Sequence, residues 1–129
     1  PPAWLISRKA IEDVSIGEYR IHKGETVMMS SYIMQRSEKY FSHADEFLPE
    51  RFKNGKVEGV PEYAYFPFGG GPRVCIGNHF AIMEATLVLA TIVQHYTIEL
   101  APNHHKVETE PLITLRPKDG LRMIVKNRK

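Results

Sequence analysis

The chain has only one cysteine and no block of basic residues, features on which disulfide-rich secreted proteins and nucleic-acid-binding proteins depend. Its 129 residues contain one cysteine and one tryptophan, and 17 lysines and arginines nearly balance 15 aspartates and glutamates. A single cysteine cannot form an internal disulfide, which argues against a cystine-stapled secreted scaffold and favours a reducing compartment, so the expected location is cytoplasmic. Because no block of basic residues is present, a nucleic-acid partner is not expected.

Long apolar runs are missing as well. The longest, residues 85–93, is far shorter than the roughly 20 residues needed to cross a bilayer, so no membrane span is predicted. The sequence begins Pro1-Pro2-Ala3-Trp4, without an initiating methionine or a signal-peptide pattern, which predicts a fragment of a longer chain. A membrane anchor upstream of that point stays an open alternative.

Turn residues and short apolar segments predict the elements of the first half. In order, they are a strand at 4–7, a turn-rich link at 11–16, β-hairpin strands at 19–21 and 25–29, helical turns at 31–36 and a meander at 37–62. Gly24 lies in the predicted hairpin turn, where it is available for a positive φ. Aromatic residues run through the meander, so it is expected to be ordered and packed.

The second half contains one strongly predicted helix. Residues 76–95 hold no proline and one glycine near their start, and apolar side chains surround most of the helix axis. Such a helix is expected to be buried on nearly all sides. Residues 96–100, 112–115 and 121–125 are predicted β-strands, with a hairpin turn at 117–120 between the last two.

A glycine-rich turn, FGGGPRVCIG, leads the one cysteine into this helix. The unpaired N–H groups and positive dipole end of a helix start favour an anion, so Cys75 is biased towards the thiolate that binds metals. Gly71 and Gly77 let the backbone approach a flat cofactor closely. Phe68 is suited to shield the sulfur from water, and Arg73 to pair with a carboxylate.

Four other readings apply to the same residues. Cys75 and His79 lie one helical turn apart, as two zinc ligands would, but zinc usually takes three or four protein ligands and there is no second cysteine. The same pair suits a cysteine nucleophile with a histidine base, although no third, orienting residue is marked. The glycines suggest a phosphate loop, yet the G-K-[ST] sequence is missing. The last reading is an inert buried cysteine.

The decapeptide matches, position for position, the F-x-x-G-x-R-x-C-x-G signature of the cytochrome P-450 haem-thiolate monooxygenases. The chain resembles that family over essentially its whole length. Three further segments carry the resemblance: the P-E-R-F element at Pro49–Phe52, the positions of Phe80, Ala81 and Glu84 in the helix after the cysteine, and Pro1-Pro2 with Arg8 just after the family's E-x-x-R helix.

The resemblance implies an α+β fragment of the family's mainly α fold, with a β-hairpin, a meander loop, a cysteine loop, a long buried helix and terminal β-strands. Residues 1–129 would form the C-terminal haem-binding part of an incomplete domain. The implied cofactor is haem b, with Cys75 as the axial iron ligand and catalytic residue. The cofactor contacts carried over from matching positions are Phe68, Gly71, Arg73, Gly77, Ala81 and Arg8, the two arginines at the haem propionates.

The sequence also departs from the family pattern. The E-x-x-R pair and the helix that handles oxygen and protons are absent, so Arg51 of the P-E-R-F element lacks its expected partners. In the family's M-H-R-D pattern, the histidine that contacts a propionate is replaced by Gln35. One haem contact is therefore in question.

The implied reaction is oxygen insertion into a small organic substrate, because thiolate ligation favours O–O cleavage. Electrons would come from a redox partner, a reductase or a ferredoxin or flavodoxin, docking near the cysteine loop. Lys53 and Lys56 are candidates to contribute to that docking, although a solvated charged loop accounts for them better. Residues 4–7 match a segment beside the substrate pocket. Two alternatives stay open: a peroxygenase driven by hydrogen peroxide without a redox partner, and a catalytically inert haem-binding fragment.

Overall fold

The computed structural model describes residues 1–53, 55, 57, 59–102 and 107–128, which leaves Lys56 outside the described residues. The chain divides into two compact units. The first contains Pro1 and residues 3–70, and the second contains Pro2 and the residues from 71 onward. Each unit is built on two separate two-stranded antiparallel sheets.

The first unit begins with four short strands. They are β1 (Ile6–Lys9), β2 (Val14–Ile16), β3 (Tyr19–Ile21) and β4 (Thr26–Met29), followed by the one-turn helix α1 (Ser31–Met34). Two 3₁₀ turns, Pro49–Phe52 and Glu62–Ala64, interrupt the long meander that follows. The strands, the helical turn and the meander are thus present where the sequence predicts them, with small shifts at their ends.

The pairing of these strands differs from the prediction. β3 pairs with β2 rather than with β4, and β4 returns to pair with β1 in a register that sets Ile6 opposite Met29. The link predicted at 11–16 therefore contains a strand. Gly17, at φ 60°, makes the tight turn that joins β2 to β3, while Gly24 has the expected positive φ of 91°. The turn at Gly24 belongs to the β1–β4 ladder because its N–H donates to Ala10 O at 2.8 Å.

A small buried cluster anchors α1 and the meander. Ser31 is 2% exposed, and its hydroxyl donates to Ala3 O at 3.3 Å. Phe41 and Ala64 supply the buried apolar side chains of this unit. Ser30 caps α1 by accepting a hydrogen bond from the Ile33 N–H at 3.3 Å, which satisfies an N–H at the helix start.

A single carboxylate ties the loop before β2 to the turn after β3. Asp13 Oδ1 accepts the Lys23 N–H at 2.9 Å, and Asp13 Oδ2 lies 3.3 Å from both Arg20 Nη2 and His22 Nδ1. The backbone hydrogen bond from Lys23, then those from His22 and Arg20, hold the pKa of Asp13 below its usual value. The charged form of Asp13 is therefore the one that stabilises this turn.

The second unit follows the glycine-rich turn. It contains a 3₁₀ turn at Gly71–Arg73, the helix α2 (Asn78–His95), and the strands β5 (Tyr96–Leu100), β6 (Thr109–Pro111), β7 (Leu115–Pro117) and β8 (Met123–Asn127). The predicted long helix is confirmed. Among the described residues no helix is long and apolar enough to cross a membrane.

Two predictions about the C-terminal strands are wrong. Residues 112–114 form the turn between β6 and β7, and the turn at 117–120 is not a hairpin because β8 pairs with β5, setting Ile98 opposite Val125. Cross-strand ion pairs match these partners: Arg116 Nη2 lies 2.8 Å from Glu110 Oε2, and Lys126 Nζ lies 2.7 Å from Glu99 Oε2.

The burial expected for α2 is not realised within this chain. Phe80, Ile82 and Leu87 are each about 60% exposed, and no residue of the helix is buried. A helix that is apolar around most of its axis needs packing on more than one side. Apart from α2, the regular structure among the described residues of the second unit is a 3₁₀ turn and four short strands, which leave these side chains uncovered.

We expect Asp13→Asn to weaken the first unit and to reduce its sensitivity to acid. A carboxylate whose folded pKa is lowered contributes stability that is present above its unfolded pKa of about 3.9 and is lost as the pH falls through the folded pKa. Urea unfolding between about pH 7 and pH 3 should therefore show a shallower loss of stability in Asp13→Asn than in the unchanged chain.

The matched control is Glu12→Gln, which removes a neighbouring exposed carboxylate that stands outside the Asp13 cluster. It should leave the acid-dependent part of the unfolding free energy close to that of the unchanged chain. Identical pH profiles for the Asp13 and Glu12 variants would contradict the assignment.

Candidate functional site

Cys75 is an exposed free thiol in the turn that leads into α2. Gly77 caps the helix with φ −88° and ψ 8°, and the Cys75 carbonyl accepts the Asn78 N–H at 3.4 Å. The helix thus begins at Asn78, slightly later than predicted, because Gly77 is the cap and not part of the first turn. Cys75 thus lies two residues before the N-cap of an 18-residue helix.

The backbone on both sides of the sulfur is open. Gly71 has a φ of 66°, and a Cβ built on it would meet no heavy atom within 4 Å. A Cβ on Gly77 would meet Cys75 Sγ at 3.9 Å and nothing closer. The two glycines that the sequence marks for close approach are therefore uncrowded, and the atom nearest to a Cβ at Gly77 is the cysteine sulfur.

Arg73 ends the 3₁₀ turn between these glycines and is exposed. Within the described residues its guanidinium makes no hydrogen bond or ion pair, so its donors remain available to an acidic group. Ala81, half-buried in the first turn of α2, donates its N–H to Gly77 O at 2.9 Å. The second unit therefore presents the cysteine, both glycines, the arginine and the alanine on one short stretch of chain.

The remaining predicted cofactor residues belong to the first unit. Arg8 is exposed on β1, and its guanidinium donates to the neighbouring carbonyl of Ser7 at 2.8 Å. Phe68 is half-buried at the end of this unit. Nearby, a Cβ on Gly70 would approach the Tyr63 ring to 2.9 Å, so the glycine allows the backbone to pack on that ring.

The first unit also contains a cavity that the sequence did not reveal. Its volume is about 350 Å³. Its lining includes four aromatic residues and three long polar side chains, namely Phe41, Phe47, Phe52, Tyr65, Gln35, Glu46 and Arg51. Burial raises the pKa of Tyr65, whose ring centroid lies 5.1 Å from that of Phe52. The P-E-R-F spacing signalled Arg51 and Phe52, but the lining residues are too scattered in sequence to be grouped by pattern.

Two buried polar features stand out at this cavity. Gln35 Nε2 is buried and has no hydrogen-bond partner among the described residues. Arg51 Nη2 donates to the His43 carbonyl at 2.5 Å. A buried donor without an acceptor is unfavourable, so an acceptor that reached Gln35 Nε2 would be stabilised there.

The zinc reading of the cysteine finds no support in the described part of the chain. There, no group of three or more histidine, cysteine, aspartate or glutamate side chains could hold a metal ion. The described residues instead present one exposed thiol just before α2, close to glycines with uncrowded surroundings.

The sequence model of the cytochrome P-450 family matches residues 1–124. The chain belongs to this family, whose members are haem-thiolate monooxygenases that carry haem b. Residue patterns had already indicated the family, and the match confirms it.

Three named proteins illustrate the similarity. The protein named cytochrome P-450 132 from Mycobacterium tuberculosis is 42% identical over 97% of this chain, which covers 27% of that protein. Human cytochrome P-450 4V2 is 37% identical over 99% of the chain. The chloroplastic carotene epsilon-monooxygenase of Arabidopsis thaliana is 37% identical over 98%. The chain covers 24% of each of these last two proteins.

A solved structure confirms the fold. The retinoic acid-bound cyanobacterial CYP120A1 superposes with a TM-score of 0.90 at 29% identity, covering 99% of this chain and 29% of that one. The expected α+β fragment of a cytochrome P-450 fold is therefore present. The cytoplasmic location stays a prediction, since one relative is a chloroplast protein.

We expect Gly71→Ala to disturb the cysteine turn. An alanine held at this positive φ is strained by about 1–2 kcal/mol, and relief of the strain would move the turn that carries Cys75. Gly120→Ala is the matched control because Gly120 has a φ of 71° and equally open surroundings. Both variants should lose similar unfolding free energy in urea, whereas only Gly71→Ala should change the rate at which iodoacetamide alkylates Cys75. Equal alkylation rates in the two variants would contradict this.

Proposed function

We propose that the protein containing this chain is a haem-thiolate monooxygenase and that Cys75 is the axial ligand of its haem b iron. The observation that carries the proposal is the placement of the one cysteine: exposed, at the start of α2, with open space at Gly71 and Gly77. When bound through a thiolate, haem iron supplies the chemistry that inserts oxygen from O₂ into an organic substrate.

The chain's own contribution is to hold the thiolate and orient the cofactor. Cys75 is exposed in the turn immediately before α2, so its sulfur is accessible to an iron ion. Arg73, free of other partners among the described residues, would bind a haem propionate by charge-assisted hydrogen bonds. Gly77 and Ala81 present little side chain to the flat cofactor, which favours close approach.

The first unit would supply further contacts. Phe68 would limit the access of water to the sulfur. Arg8 would offer a second propionate contact, since its one hydrogen bond to Ser7 O leaves other guanidinium donors available. Gln35 stands where relatives of the family have a histidine, and its unpaired buried Nε2 fits a donor that awaits an acceptor.

Electrons would come from a redox partner, a reductase or a small iron–sulfur or flavin protein. For the substrate we propose a small, largely apolar organic molecule. Isoprenoids are the first candidates to assay, because one similar protein is a carotene epsilon-monooxygenase and another has been solved with retinoic acid bound. Turnover with hydrogen peroxide alone would instead support the peroxygenase alternative.

A second candidate is that this chain by itself binds haem without catalysing a reaction. The observation that favours it is the exposure of the apolar side chains of α2, such as Phe80 and Leu87. Water at this surface would compete with the cofactor, and a helix without cover is less stably placed. The absence of turnover in a chain that shows thiolate ligation would support this candidate.

We expect the haem-reconstituted chain, reduced and exposed to carbon monoxide, to show a strongly red-shifted Soret band. Cys75→Ala should abolish the band, because no other cysteine is present. His79→Ala, one helical turn further along, is the matched control and should keep it. A band retained in Cys75→Ala, or lost in His79→Ala, would refute cysteine ligation.

We expect Arg73→Gln to weaken haem binding about tenfold. A charge-assisted hydrogen bond is worth about 1.5–3 kcal/mol, and an exposed arginine should give the lower value, which corresponds to about a factor of ten. Haem titration followed by absorbance measures the effect. Arg116→Gln is the control, since Arg116 pairs with Glu110 across β6 and β7; equal losses in the two variants would count against a propionate role.

A further inference from the structure

We propose that His43 is a positioning residue for Arg51. The backbone of His43 adopts a left-handed conformation that aims its carbonyl oxygen at the Arg51 guanidinium and so fixes the guanidinium at the aromatic cavity. The consequence for the cofactor rests on the proposed function, whereas the geometry itself belongs to the first unit alone.

The backbone of His43 is unusual. Its φ is 53°, and in the part of the chain that the structure describes it is the one residue other than glycine with a positive φ. This conformation is unfavourable for a residue with a Cβ, and it persists only where surrounding contacts impose it. Histidine tolerates the left-handed region better than β-branched residues do.

Two groups impose this conformation. The carboxylate of Glu38 accepts both backbone amides of the turn, from His43 N–H at 3.1 Å and from Ala44 N–H at 3.0 Å. The His43 carbonyl accepts the Glu46 N–H at 3.0 Å. The ring adds one contact, with Nδ1 3.2 Å from Glu46 Oε1. The turn is thus held on its amide side and its carbonyl side.

The second lone pair of the His43 carbonyl accepts Arg51 Nη2 at 2.5 Å. Arg51 lies in the 3₁₀ turn Pro49–Phe52, and its side chain lines the same cavity as Gln35. A long arginine side chain loses much rotamer freedom when it is ordered. The hydrogen bond to the His43 carbonyl already orders the Arg51 side chain. Arg51 therefore loses less rotamer freedom when it binds an acidic group.

Three substitutions separate the backbone from the ring. His43→Gly removes the ring but accepts positive φ, His43→Asn accepts it with a short polar side chain, and His43→Val strongly disfavours it. If the carbonyl direction is what matters, glycine and asparagine should behave like the unchanged chain. Valine should lower the equilibrium constant for folding about tenfold or more.

The first test is a double-mutant cycle in urea that combines His43→Val and His43→Gly with Arg51→Gln. The difference in unfolding free energy between His43→Val and His43→Gly should be clearly smaller in the Arg51→Gln background, because part of that difference comes from the guanidinium contact. An unchanged difference would overturn the proposal. A chain without a cooperative unfolding transition would also overturn it, since the described turn would then not persist in solution.

The second test uses the haem-reconstituted chain with carbon monoxide. His43→Val should lower the fraction of the red-shifted thiolate band several-fold, and His43→Gly should preserve that fraction. If the unchanged chain shows no thiolate band, this chain alone does not bind haem iron through Cys75, and the urea cycle still decides the role of His43. If the band is present and equal in the valine and glycine variants, the positioning role is refuted and the proposed function stands.

Discussion

The proposed site depends on one constraint, the placement of the single cysteine just before the start of α2. Cys75 is a free, exposed thiol, and Gly77, the N-cap of the 18-residue helix, follows two positions later. Glycine at positions 71 and 77 then keeps the space beside the sulfur open.

Carboxylates that accept backbone amides perform a related task in the first unit. Asp13 binds the Lys23 N–H, and Glu38 binds the amides of His43 and Ala44, so two irregular turns are held by charge rather than by a large apolar core. This is consistent with burial, since Phe41 and Ala64 are the buried apolar residues among those described. The second unit is similar, because the apolar side chains of α2 are exposed. Local hydrogen bonds define its elements, while most of its apolar side chains remain uncovered.

Local chemistry explains which predictions succeeded. The long helix, the helical turn after β4, the positive φ of Gly24 and the membership of the cytochrome P-450 family were all readable from short patterns. The pairing of β3 with β2 and of β8 with β5 was not, because a strand does not encode its partner when several short strands of similar character are near in sequence. The roles of Cys75, Arg73, Phe68 and Arg8 stay predictions, and they rest on positions in a motif.

The sequence by itself determined the identity of the family, the position of the cysteine at a helix start and the glycines around it. These depend on residues within a few positions of one another, whose backbone preferences act locally. Only the tertiary structure decided that the His43 carbonyl meets Arg51, that Gln35 Nε2 is buried without a partner among the described residues, and which strands pair. Such contacts depend on how distant segments close on one another, and that closure follows from packing and hydrogen bonding of the whole unit rather than from any single pattern.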